Sequence, residues 1–478
     1  MGVLTLVFVL VLVAAVGIGT GALWSKGWLN ELICDGECGA SAIATPDALA
    51  RDGRPGAASP LSAGTGRLDP DAIEAAVRDR LGSKDLGSHV GFAAVDPADG
   101  EVVGSVGTGT YVPASTTKLL TGLAALTELD PQRRFSTRVV RGPMAGSGER
   151  PDHIVLVGDG DPYLVTRLPR KKVYAVEADL VTLARRTADS LRRSNTTSVR
   201  LDYETSLFKG PETSPAWEKS YVSEKIVTPV TSLWVDGGRE RGMRVDDPAG
   251  AAAQTFARLL ERRGIEVKER PREEKAQSIA HPIAAVRSAT VAQIVEAMIA
   301  QSDNEAAEVL LRHVALEVGE PATFEGGVAA VRSALRGLDV DTSGLVLHDG
   351  SGLSRQNRIS PQTLADVVAV AGRMARTNSL LSDLAVGGFS GTLSRRFGNP
   401  PQAGGAPTSG GLGVVRGKSG TLTGVHSLAG YVTDRSGTPI AFAVMTDRTK
   451  SINPFVTEAA LDRVAAALAD CTCSRPVP

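Results

Sequence analysis

P-A-S-T-T-K-L-L-T-G-L-A-A-L, residues 113–126, decides the fold of this chain. Leu119, Leu120, Leu123 and Leu126 recur at the three-and-four spacing of a helix face that has to be buried. Pro113 stands just ahead, where a helix tolerates a missing N–H. The same run carries Ser115 and Lys118, three residues apart and so on one face. A serine hydroxyl is a weak nucleophile at neutral pH, and a lysine can take its proton only where burial or a second cation lowers the amine's pKa. Alone, S-x-x-K is a weak signal: it should occur about once by chance in a chain of this composition, and on its own it more often marks a capped helix with a surface lysine.

Working outward, residues 91–96 (G-F-A-A-V-D) and 101–106 (E-V-V-G-S-V) flank an Asp-Gly turn and predict a β-hairpin. Near the far end, residues 425–432 and 440–446 form a second hairpin, whose unbroken apolar runs predict central strands. An alanine-rich helix over about 454–469 is expected to cover that sheet. Between the two blocks, strand-like runs such as H-I-V-L-V from His153 alternate with helical runs such as A-A-A-Q-T-F-A-R-L-L from Ala251. We read residues 67–130 and 281–470 as one discontinuous domain and 131–280 as an inserted one, with the polar R-P-R-E-E-K-A-Q from Arg270 marking the far edge.

The 478 residues, 42% hydrophobic and 22% charged, suffice for two domains. A net charge of −1 lacks the basic excess that phosphate neutralisation needs, so nucleic acid is not an expected partner. The six histidines never form H-E-x-x-H or a tight metal-ligand spacing, and neither a metal nor a cofactor is expected. Residues 2–24 are 23 consecutive uncharged positions, long enough to cross roughly 30 Å of hydrocarbon. We expect residues 1–25 to act as a retained membrane anchor or a cleaved signal, the anchor preferred, and the rest to work outside the cytoplasm. Residues 26–66 read as a flexible tether, since 21 of the 28 positions from 39 to 66 are Ala, Gly, Ser, Pro or Thr. Cys34 and Cys38 precede that tether while Cys471 and Cys473 close the chain. Three pairings are open to them, and cross-pairing would staple the ends together.

Two further motifs give the S-x-x-K meaning. Ser302-Asp303-Asn304 breaks two apolar helical runs, where it would set a second hydroxyl and a carboxamide at a cleft edge or simply cap a helix. Lys418-Ser419-Gly420-Thr421 lies at a strand, with glycines allowing close backbone approach. In this order the three match S-x-x-K, S-D-N and K-T-G of penicillin-recognising serine enzymes, with Ser419 at the central position. The gap from 115 to 302, 187 residues, is too long for a compact β-lactamase and calls for the insertion. With V-G-D-G-D-P-Y-L from Val157 and H-D-G-S-G-L-S-R from His348, the chain from about 70 to 470 resembles the D-alanyl-D-alanine carboxypeptidase/endopeptidase family, the class C low-molecular-mass penicillin-binding proteins. It departs from that pattern at Asp159, where the family usually has a glycine.

The resemblance implies an α/β (α+β) transpeptidase-like fold shared with serine β-lactamases, with helices around Ser115 and Ser302 and a sheet supplying Lys418. It implies that Ser115 attacks the terminal D-alanyl-D-alanine carbonyl of a peptidoglycan stem peptide, and that β-lactam antibiotics acylate it covalently. Lys118 would be the base, Ser302 the proton relay and Asn304 the holder of Lys118 and substrate. Lys418 would lower the Lys118 pKa and attract the substrate carboxylate, which Ser419 and Thr421 would bind beside Gly420. The N–H groups of Ser115 and Thr421 would form the oxyanion hole. Asp159, Asp161 and the Asp349–Gly352 string are expected to be structural. The rival readings are a wall-binding scaffold that keeps the fold without turnover, and a β-lactamase.

Overall fold

The computed structural model describes residue 61 and residues 66–142, 152–276, 282–398, 409–450 and 453–476. The apolar run at 2–24, Cys34 and Cys38 lie outside the described residues. No helix among the described residues is long and apolar enough to cross a membrane.

The chain begins with β1 (Gly66–Leu68), α1 (Pro70–Leu81), the hairpin β2 (Val90–Val95) and β3 (Val102–Val106), and α2 (Thr117–Glu128). Its middle supplies β4 (Arg134–Arg141), β5 (Asp152–Val157), α3 (Leu180–Arg193), β6 (Ser198–Glu204), α4 (Ser220–Ser223), β7 (Arg239–Glu240), β8 (Met243–Arg244), α5 (Pro248–Glu261), β9 (Glu266–Val267) and β10 (Pro282–Thr290). Then come α6 (Val291–Gln301), α7 (Asn304–Glu317), α8 (Phe324–Gly337), α9 (Pro361–Arg373), α10 (Ser379–Ser382) and β11 (Ala385–Val386). The chain closes with β12 (Arg416–Leu422), β13 (Val425–Thr433), β14 (Pro439–Thr446), α11 (Pro454–Asp470) and β15 (Ser474–Pro476).

A six-stranded sheet in the order β11-β12-β13-β14-β2-β3, antiparallel throughout, forms the middle layer. Side chains alternate across it as the pleat demands. Ala93, Val95, Ala429, Ala441, Ala443 and Met445 join a core with α2, α6, α7, α8 and α9. Phe92, Ala94, Leu428, Val432, Ile440, Phe442 and Val444 meet Ile73, Val77, Leu461, Val464 and Leu468 of α1 and α11. Burial on both faces explains why β13 and β14 are apolar throughout. α2 sits between helices, and every residue from Thr117 to Leu126 is buried, Lys118 included. Its start differs from the expectation of a helix from Ser115: residues Ala114–Thr116 form a 3-10 turn and the α-helix begins at Thr117.

A second sheet, β10-β4-β5-β6-β9, is mixed, with β5, β6 and β9 parallel and α3 and α5 as crossover connections. β10 pairs with β4 from Pro282↔Val140 to Thr290↔Arg134, so residues 282–290 share a sheet with residues 134–141. The polar run from Arg270 joins the same sheet through Arg272 N–H to Asp202 Oδ1 (3.0 Å) and Glu274 N–H to the Tyr203 carbonyl (2.8 Å). At Thr290 a capping box with Gln293 starts α6.

The ends of the described chain meet without a long-range disulfide. Cys471 and Cys473 bridge each other, their Cα atoms 5.3 Å apart across a bend, so stapling of the ends by these two cysteines is not what the fold uses. β1 pairs with β15 instead, and Arg475 salt-bridges Asp69 at 2.5 Å. Leu61 is buried in the helical core. An isolated leucine provides apolar bulk that the small-residue run around it lacks.

β12 has to approach β13 closely at Gly430, where an added Cβ would overlap the Arg416 carbonyl and lie 2.6 Å from the Gly417 Cα. Gly430→Ala is expected to destabilise the protein by about 1–3 kcal/mol through overpacking, read as a lower urea midpoint, with acylation falling alongside as β12 shifts.

Candidate active site

The 3-10 turn that carries Ser115 is held from three sides. Ala114 is forced to φ 49°, a strained value for a residue with a Cβ. Its carbonyl accepts from Thr117 Oγ1 at 2.9 Å, while the Pro113 carbonyl accepts from Thr116 Oγ1 (2.8 Å) and from Ser427 Oγ of β13 (2.6 Å). Gly352 packs so tightly on the turn that a Cβ there would overlap the Ala114 carbonyl. Ser115 emerges half-buried at the mouth of this brace.

One helical turn on, the Lys118 amine is fully enclosed. It donates to Asn304 Oδ1 at 2.7 Å, to the Ser351 carbonyl at 2.6 Å and to Ser115 Oγ at 3.1 Å. Burial pulls its pKa down to about 8, against the opposing pull of Glu308, Asp349, Asp303 and Glu305. Of the three partners, the amide and carbonyl oxygens can only accept, whereas the hydroxyl can also donate. A neutral amine therefore keeps its two N–H groups on Asn304 and Ser351 and turns its lone pair to Ser115.

S-D-N is the corner between α6 and α7. Ser302 ends α6 in the left-handed conformation, φ 57° and ψ 40°, which lets the next helix start without a loop. Asp303 caps α7 by accepting from the Ala306 N–H, and Asn304 in its first turn reaches Lys118. Glu305 is buried too and accepts from the Thr228 N–H (3.2 Å) and Arg244 Nε (2.8 Å), tying this corner to the β7–β8 hairpin.

On the opposite wall, the almost fully buried Lys418 donates to Ser302 Oγ at 2.8 Å and to the Ser419 carbonyl at 2.7 Å. Burial, then the Lys118 charge and Arg396, hold its pKa well below the ordinary lysine range. Burial is the largest cause of the Lys118 depression, and the two buried amines repel each other, each disfavouring the other's charged form. Register sorts the rest of the strand. Lys418 lies opposite Ala429 and Gly420 opposite Ser427, on the face toward α2, while Ser419 lies opposite Leu428 on the face toward α11. The Ser419 hydroxyl donates to Thr392 Oγ1 at 2.7 Å and that of Thr421 to Glu458 Oε1 at 3.2 Å, so the Thr421 side chain is turned away from Ser115. A Cβ on Gly420 would stand 2.6 Å from the Pro113 carbonyl and 3.0 Å from the Ser115 N, which is why a glycine lies there.

The structure thus brings Ser115, Lys118 and Asn304 into one set of contacts and Ser302 and Lys418 into an adjoining one. Sequence reasoning missed the Ser351 carbonyl, which bears no side-chain signal, and Glu308, whose place four residues after Asn304 on α7 was a usable one. Asp349 anchors its loop by accepting from Trp217 Nε1, Asn357 Nδ2 and the Gly352 and Ser354 N–H groups. Asp159 accepts from the Ser136 N–H at 2.7 Å, bracing β4 where the family usually has glycine, and Asp161 caps the turn at Tyr163. Elsewhere, His153, Asp202 and Glu274 bring ligand atoms within 4.8 Å of one another, but Arg200 already bridges the two carboxylates with a fixed positive charge.

The family model of the D-Ala-D-Ala carboxypeptidase 3 (S13) family matches residues 73–241 and 238–468. A carboxypeptidase of Mycobacterium tuberculosis is 36% identical over 349 residues, covering 70% of this chain and 71% of that protein. Carboxypeptidase DacB of Mycolicibacterium smegmatis is 35% identical over 370 residues, 76% of each. Among solved structures, penicillin binding protein 4 (dacB) from Haemophilus influenzae superimposes with a TM-score of 0.65 at 21% identity, covering 83% of this chain and 98% of that one, and so shares the fold. Family match, identity and a helix-flanked antiparallel sheet agree: the chain belongs to the D-Ala-D-Ala carboxypeptidase 3 (S13) family.

Proposed function

We propose that this serine-type D-Ala-D-Ala carboxypeptidase works through an acyl-enzyme on Ser115, with the buried Lys118 as its base. The observation that carries the reading is the Lys118 amine, enclosed between two obligatory acceptors with its remaining valence on Ser115 Oγ. Ser115 Oγ bonds to the carbonyl carbon of the penultimate D-alanine as its proton passes to Lys118. The peptide C–N bond then breaks, Ser302 relays a proton to the leaving amine, and free D-alanine departs. Water then cleaves the ester. A penicillin follows the first half only, since its opened ring stays attached.

Lys418, one hydrogen bond from Ser302, supports that relay and binds the substrate carboxylate, whose negative charge favours the protonated amine that burial otherwise disfavours. Ser419, on the cleft-edge strand, exchanges Thr392 for the same carboxylate. Thr421 takes part through its backbone N–H, which with that of Ser115 polarises the carbonyl. Gly420 is the close-approach position between those two N–H groups. Residues 131–280 act as the inserted domain, with β10 completing its sheet, and release of a cross-bridge as well as of terminal D-alanine is compatible with the same chemistry. The working place is the bacterial cell envelope, with peptidoglycan stem peptides as substrate and residues 1–25 as the membrane anchor or a cleaved signal.

The full chain incubated with a fluorescent penicillin should give a covalent adduct by gel and intact mass, and Ser115→Ala should give none. Absence of an adduct on folded parent protein would favour the scaffold reading. With a Lys118 pKa of about 8, roughly a tenth of the amine is neutral at pH 7. The acylation rate should therefore climb about tenfold per pH unit below 8 and level off above it, and a flat profile from pH 6 to 9 would contradict lysine as base.

A further inference from the structure

We propose that Glu308 is a positioning residue for acylation: its carboxylate holds the Gly350–Ser351 backbone so that the Ser351 carbonyl fixes the orientation of the Lys118 amine. The proposal rests on Ser115 and Lys118 acting as nucleophile and base. Glu308 lies one turn after Asn304 on α7 and is fully buried. Its Oε1 accepts from the Ser351 N–H at 2.8 Å and its Oε2 from the Gly350 N–H at 3.1 Å. The Ser351 carbonyl is the shortest of the three Lys118 contacts at 2.6 Å. α7 therefore supplies two of the three groups around that amine, Asn304 directly and Ser351 through Glu308.

The loop between them has little room to find another arrangement. A Cβ on Gly350 would lie 3.0 Å from both the Ala307 carbonyl and the Leu311 Cβ, and Gly352 presses on the Ala114 carbonyl. From α2, Thr121 Oγ1 donates to the Gly350 carbonyl at 2.8 Å, clamping the same peptide from the other side. Without Glu308, two buried N–H groups lose their acceptor, which is costly enough to turn the peptide and carry the Ser351 carbonyl with it. The Lys118 lone pair would then lose its aim at Ser115, where misplacement by about 1 Å can cost on the order of 100-fold in rate.

The carboxylate also acts through its charge. The charged groups around it are Asp349 from the facing loop, Lys118 from α2 and Arg312 from its own helix, and Asp303 and Glu305 also act on Lys118. Burial and Asp349 push Glu308 up to about 7. When ionised it favours the ammonium form of Lys118, so position and charge have opposite effects on acylation and can be separated.

The test compares penicillin acylation rates of the full chain from pH 5.5 to 9.5 for the parent, Glu308→Gln, Glu308→Ala and Thr121→Val. Gln keeps one acceptor oxygen and loses the charge, so its profile should move to lower pH by about half a unit or more, with a modest loss on the plateau. Ala should lose about 10- to 100-fold on the plateau. Thr121→Val, which loosens the loop without a charge change, should lose several-fold with the acid limb unmoved. Folded Gln and Ala variants acylated at parental rates across the range would overturn the proposal. So would equal losses in both with an unmoved acid limb, the mark of a merely structural brace. A parent that takes no penicillin on Ser115 would instead overturn the underlying assignment of the site, and the proposal with it.

Discussion

Enclosing the amine of Lys118 is the constraint on which the rest of this structure depends. A free ammonium group is strongly hydrated, and taking it out of water costs several kcal/mol unless polar groups replace the solvent. The protein replaces it with two carbonyl-type oxygens and one hydroxyl, enough to seat the group and too little to restore its ordinary basicity. What remains is an amine that gives up its proton near neutral pH. The same enclosure that makes Lys118 expensive to fold makes it able to accept the proton of Ser115.

Holding that arrangement requires three separate parts of the chain. The 3-10 turn at 114–116 and the start of α2 bring Ser115 and Lys118 together, the α6–α7 corner brings Ser302 and Asn304, and the loop at 349–352 brings a backbone carbonyl. Each is locked by something costly in isolation. Ala114 and Ser302 hold positive φ, and Glu308 and Asp349 are carboxylates with no access to water. Such features persist only where surrounding packing over-determines them, and their concentration around one amine fits a site that trades stability for preorganised chemistry. The antiparallel sheet closes the cleft with β12, whose Lys418 can come this near a second amine only because burial and Arg396 also weaken its hold on its proton.

Much of this was legible in the sequence because it rests on periodicity and side-chain type. The 3.6-residue spacing marked α2, unbroken apolar runs marked β13 and β14, and three motifs in family order marked Ser115, Ser302 and Lys418. What escaped depends on backbone and register. Nothing in the letters Gly350-Ser351 says that a carbonyl will point at a lysine. The faces of β12 follow from its pairing with β13, which turns the Thr421 hydroxyl toward Glu458 rather than the cleft. The polar run from Arg270 carries no periodic signal, so its backbone hydrogen bonds to Asp202 and Tyr203, which join it to the second sheet, leave no trace in composition. Likewise, Cys471 and Cys473 pair locally because the bend at Cys471 brings residues two apart within reach, a matter of conformation rather than spacing in the chain.

A direct titration of Lys118 goes to the centre of this account. The full chain labelled with 15N-lysine, with Lys118→Arg to assign the resonance, should show one Nζ signal that titrates near pH 8 and is missing from the variant. An Lys118 signal that stays in the ammonium form beyond pH 10 would contradict the account, because the amine would then be a structural cation and some other group would have to activate Ser115.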